Sequence, residues 1–113
     1  MPLTAQEINE LIDSIGLPYA YYQFPEKTDQ APPYICFYIS GSGDFMADRK
    51  NYVKIRQLNI ELYTDNKDYD TERTVESILA ENNISYQTEE SYLNSERMYM
   101  VTYTFEIILN DEV

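Results

Sequence analysis

Histidine and tryptophan are missing from this 113-residue chain, cysteine occurs once and glycine three times. Each shortage excludes something. Without histidine there is no Ser-His-Asp or Cys-His arrangement for nucleophilic catalysis, and one thiol with no imidazole makes no zinc site. A single cysteine cannot close an internal disulfide, and Cys36, inside the apolar run YICFYIS, reads as a small buried residue. The glycines, two of them in GSG at 41–43, fit neither the phosphate-cradling nor the dinucleotide-binding loop. No serine is followed three residues later by lysine, which removes that nucleophile as well. No run approaches 18 apolar residues and no charged-then-apolar leader opens the chain, so the expectation is an intracellular, non-membrane protein. The Asn-Ile-Ser triplet at Asn83 then carries no meaning as a glycosylation signal.

Positive charge is also scarce: 8 basic residues stand against 20 acidic ones, a net −12. Binding to nucleic acid phosphates needs Lys and Arg, so sequence-specific nucleic acid binding is not expected. The acidity suits either a protein that lies near DNA without adhering to it or one that imitates DNA. The acidic run DNKDYDTE does not match a calcium loop. Asp68, Asp70 and Glu72 occupy the first three ligand positions, but Arg73 replaces the required glycine and Leu79 the bidentate glutamate. Carboxylates at the positive end of a helix dipole are the better reading. A catalytic carboxylate pair has no specific signal among twenty acids. The chain is therefore read as a non-enzyme with no catalytic residue, metal or cofactor.

Tyrosine is what the chain has in excess, with twelve copies. It suits half-buried sheet faces and protein interfaces equally. The length predicts one domain, 1–113, able to bury about two-thirds of its unfolded surface.

Thr4 and Glu7 have capping-box spacing, Ile8, Leu11, Ile12 and Ile15 form one stripe, and Gly16 with Pro18 stops the helix. Strands are expected at 19–24, 34–40, 52–64, 84–89 and 98–109, with a second helix whose stripe is Val75, Ile78 and Leu79. Residues 25–33 and 90–97 read as a loop and a turn region. The order α-β-β-β-α-β-β predicts an α+β two-layer sandwich, a mainly antiparallel sheet with two helices packed on one face.

Between the second and third strands, 41–51 reads as a loop tipped by Phe45 and Met46 and followed by charge. Arg49, Lys50, Lys54 and Arg56, half of all basic residues, fall within eight positions, next to Asp48. Two readings stand for the cluster: a solvated strand end, or a patch that meets the acidic face of an identical neighbour head to tail. Two stand for Phe45 and Met46: a satellite of the core under the loop, or anchors buried on assembly.

Three blocks, YYQFPEKTDQAPPYICFYI, DFMADRKNYVKIRQLNIELYTDNKDYDTER and YLNSERMYMVTYTFEI, resemble small structural proteins from the tail or head–tail joining clusters of tailed bacteriophages and prophages of Gram-positive bacteria. The resemblance implies a tail-terminator or tail-completion protein: an α+β domain that assembles into a ring, usually a hexamer, closing the tail tube. Its implied partners are copies of itself, the tail tube protein and the head–tail connector proteins. Its implied location is the virion tail or head–tail interface, reached from the host cytoplasm. The contact residues it suggests are Phe45, Met46, Asp48, Arg49, Lys50, Lys54 and Arg56. A head–tail adaptor or stopper is a neighbouring expectation. The alternative from another class is an acidic DNA mimic that inhibits a host nucleic-acid-binding protein.

Overall fold

The first helix shows how local chemistry sets the frame. In the computed structural model, which describes residues 2–24, 30–41, 45–47 and 50–109 (backbone only at 2, 45–47 and 50–54), Thr4 Oγ1 accepts from Glu7 N at 3.1 Å, while Glu7 Oε1 accepts from Thr4 N at 3.0 Å. This reciprocal box starts α1 (Ala5–Asp13), which buries Ile8, Leu11 and Ile12. Gly16 then takes φ +86°, the left-handed geometry that ends the turn.

The elements run β1 (Pro2–Leu3), α1, β2 (Tyr19–Tyr21), β3 (Tyr34–Ser40), β4 (Phe45–Ala47), β5 (Lys50–Thr64), α2 (Tyr69–Glu81), β6 (Gln87–Leu93) and β7 (Met98–Leu109). The expected α-β-β-β-α-β-β framework is present, with two short strands, β1 and β4, added to it. β5 lies at the centre, antiparallel to β3 on one side and to β7 on the other. β6 pairs antiparallel and β1 parallel with β7; β2 pairs parallel with β3.

Register decides which residues meet. Ile35 and Phe37 of β3, Leu58, Ile60 and Leu62 of β5, and Val101, Tyr103, Phe105 and Ile107 of β7 share one face. These side chains form one buried cluster with Ile8, Leu11, Ile12 and Ile15 from the first helix and Val75 and Leu79 from the second. On the opposite face Asn59, 7 % exposed, bridges three strands. Its Nδ2 donates to Ser40 Oγ at 2.8 Å, and its Oδ1 accepts from Thr104 Oγ1 at 3.0 Å. A slip of either neighbour would strand that amide, so the network fixes register.

α2 begins at Asp68, whose carboxylate accepts from Thr71 N at 3.1 Å and from Thr71 Oγ1 at 2.6 Å. These bonds hold the Asp68 carboxyl below its ordinary range. The acidic run is thus divided between a cap and an ion pair: Glu72 is buried, with Lys67 Nζ 2.7 Å from its Oε2. Lys67 also contacts Glu90 on β6 and lies 4.8 Å over the Tyr69 ring, tying the helix start to the sheet edge. Asn83, at φ 57°, ends the helix where no glycine is present.

Three expected boundaries move. β2 stops at Tyr21, because Tyr22 turns to φ 69° as its N–H bonds Phe37 O at 2.8 Å. β6 covers 87–93 rather than 84–89: Ile84 is buried against the helix end, its N–H on Leu79 O, so pairing starts later. Much of the expected turn region 90–97 is therefore strand, and the chain reverses only between Leu93 and Met98. β5 begins at Lys50 rather than at 52.

Candidate interaction surface

β5 is longer than the sheet that holds it. It pairs with β7 from Lys54 to Thr64 and with β3 from Gln57 to Tyr63. Among the described residues, Lys50–Val53 pair only with β4, through Phe45↔Val53, Met46↔Asn51 and Ala47↔Lys50, with a register shift between Phe45 and Met46. A 15-residue strand is about 50 Å long at about 3.3 Å per residue, matching the 50 Å longest dimension; the other two are 32 and 22 Å. The radius of gyration, 15.2 Å, exceeds the roughly 13 Å of an ordinary domain this size. The overhanging end of β5 contributes to this elongation.

Residues 41–51, read from sequence as a loop, thus contain strand: Phe45–Ala47 pairs antiparallel with Lys50–Val53. The aromatic and β-branched residues of the paired segments, Phe45, Tyr52 and Val53, favour the extended backbone. Phe45 and Met46 sit on β4, not at a loop tip. Lys50 opens β5, and Lys54 and Arg56 lie at the hairpin's root, opposite Leu109 and Ile107. Asp48 and Arg49 fall outside the described residues. Arg56 is half-buried, and its Nη1 donates to Ile55 O at 3.1 Å. The fold therefore gathers Phe45, Met46 and Lys50 on one overhanging element and sets Lys54 and Arg56 where it joins the sheet.

The helix-free face of the sheet carries aromatic pairs that the sequence reading did not single out. Tyr34 stacks on Tyr63 (4.9 Å, 19°), and Tyr22 on Tyr38 (5.3 Å, 15°). Their signal was the alternation Tyr34, Cys36, Tyr38 in YICFYIS. Tyr63 donates to Glu61 Oε1 at 2.9 Å. Burial, then this carboxylate, raises the Tyr63 pKa above its ordinary value. Cys36, 4 % exposed beside Tyr34 and Tyr63, has its thiol pushed up to about 11 by burial and by Glu61, so it stays protonated at neutral pH. That environment suits a packed side chain, not a nucleophile. Among the described residues no group of three or more Cys, Asp or Glu side chains is placed to hold a metal ion, and no helix is long and apolar enough to cross a membrane.

No protein family matches the chain, and no curated protein is similar to it.

Proposed function

We propose that this protein is a structural subunit of the tail or head–tail interface of a tailed phage or prophage, of the tail-terminator or completion type. It associates head to tail with copies of itself into a ring, hexameric in the virion, that closes the tail tube and docks the head connector. The observation that carries this reading is the overhanging β4–β5 hairpin, which together with its root holds three of the eight basic residues of a strongly acidic chain, Lys50, Lys54 and Arg56. A heterologous contact joins two different patches of one surface, and a cationic arm on an anionic body supplies two that are complementary. The acidic mimic is disfavoured by the same feature: positive charge on an overhanging hairpin weakens binding to a basic groove. Adaptor and stopper roles share the contact chemistry and differ in which virion component is engaged.

The test is electron microscopy of the purified protein, alone and with tail tubes, together with light scattering across a concentration series. Rings, or capping of tube ends, are expected, and Phe45→Ser with Met46→Ser weakens them without unfolding the chain. A wild-type protein that stays monomeric at every concentration and leaves tube ends bare overturns the proposal.

A further inference from the structure

The hairpin needs a receptor, and one concavity on the helical layer has the matching chemistry. A groove of about 400 Å³ runs between the two helices, with Leu3, Leu11 and Ile78 among its lining and Glu7, Glu10 and Glu81 beside them. Leu3 and Leu11 are buried and Ile78 half-buried, whereas the three glutamates are exposed. The result is an apolar floor inside an acidic rim. No lysine or arginine lines it among the described residues.

The end of α2 adds to the negative field. Glu81 ends α2, and Ser14, at the C-cap of α1, also lines the groove. α1 lines the groove along its whole length, from Glu7 in its first turn to Ser14, whereas α2 contributes only its C-terminal end, whose last turn carries no basic residue. Helix C-termini bear a partial negative charge that Lys or Arg ordinarily offsets. Among the described residues of the overhanging hairpin and its root, 45–47 and 50–56, Lys50, Lys54 and Arg56 are basic and none is acidic.

We propose that this interhelical groove is the docking site for the β4–β5 hairpin of a second copy of the chain, with apolar side chains on the floor and Lys or Arg against the glutamate rim. The inference rests on the assembly role proposed above and names the acceptor surface for it. The donor's identity follows from charge and chemistry, since the arm pairs large apolar residues with cations and the groove pairs apolar residues with anions. The root of a chain's own arm lies at the groove's end of the sheet, since Lys54 and Leu3 both pair with Leu109, and Lys50–Val53 continue the strand beyond that end. Arm and groove are different patches of one surface, so the contact propagates from copy to copy unless two copies exchange arms reciprocally and close as a dimer.

The experiment uses two full-length variants, Glu10→Lys with Glu81→Lys in the groove and Lys50→Glu with Lys54→Glu on the hairpin. Each alone is expected to weaken self-association at least tenfold by sedimentation velocity, with melting temperature close to wild type. Mixing them restores assembly, because the intact arm of one meets the intact groove of the other and the two reversed surfaces also match. The milder pair Glu10→Gln with Glu81→Gln guards against misfolding and is expected to reduce association severalfold and to flatten its salt dependence. Groove variants that assemble like wild type while hairpin variants do not overturn this inference and leave the assembly reading standing. Loss in both variants without recovery on mixing also overturns it. Absence of assembly in the wild type removes the assembly reading itself.

Discussion

Replacing Tyr103 by phenylalanine isolates one buried hydrogen bond. Tyr103 is fully buried at the centre of β7, and its only side-chain polar atom donates to Glu76 Oε2 at 2.9 Å. Burial, then this carboxylate, raises the phenol's pKa above its ordinary value of 10.0. Phenylalanine keeps the ring, and with it the edge contact to Tyr86 at 5.4 Å. The change therefore removes the bond and little else. Hydrogen bonds to charged groups contribute about 1.5–3 kcal/mol. Glu76 is only half-buried and regains water when its donor is gone, so the lower end applies, about 1.5 kcal/mol. For a domain of this length that is a fall in melting temperature of about 6 °C. Urea unfolding followed by circular dichroism measures it, and Glu76→Gln closes a double-mutant cycle. The sign with pH also follows. A phenol with a raised pKa in the folded state adds stability that is complete below pH 10 and declines as pH climbs toward the folded value. Tyr103→Phe should therefore soften the alkaline edge of the stability curve. A Tyr103→Phe protein within about 0.5 kcal/mol of wild type, or a cycle with no coupling, would refute the reasoning.

Lys67→Met leaves the Glu72 carboxylate buried without its cation and cuts the link to Glu90, so a loss of about 2 kcal/mol is expected in chemical denaturation. The two carboxylates raise the Lys67 pKa above its ordinary 10.5, so its contribution is full below that pH and fades above it; the variant lacks that alkaline component. Thr4→Ala removes one half of the capping box and costs about 1 kcal/mol, with amide exchange in the first turn of α1 rising first. Cys36 should react with a thiol reagent at pH 8 at least about a hundredfold more slowly in the folded protein than in urea, since it is buried and its thiol is pushed up to about 11. Fast labelling without unfolding contradicts the buried placement.

Elements whose own side chains specify them were legible. α1 shows its start in Thr4 and Glu7 and its face in Ile8, Leu11 and Ile12; β7 shows period two from Tyr99 to Ile107. Elements specified by a distant partner were not. β1 is two residues long and exists because Pro2 and Leu3 pair with Ile108 and Leu109. β6 is a polar edge strand, QTEESYL, with no apolar alternation to mark it, and β7 serves as its template. β4 was hidden by the glycines and charges around it. For the interaction surface, the cationic cluster was visible because its members are neighbours in sequence. The proposed acceptor was not, since Glu10 and Glu81 come from separate helices and meet only through the fold.

Asn59 gives the overhang a defined length. Bonded to Ser40 on one neighbouring strand and to Thr104 on the other, its amide pins β5 lengthwise as a peg pins a sliding rule. A shift of two residues would keep the apolar face inward yet pull the peg from its hole. The reach of the arm is therefore a manufactured dimension, metered from a buried side chain in the body. If the proposed ring forms, small errors of span would accumulate around its circumference, and such a gauge would decide whether the last joint meets the first.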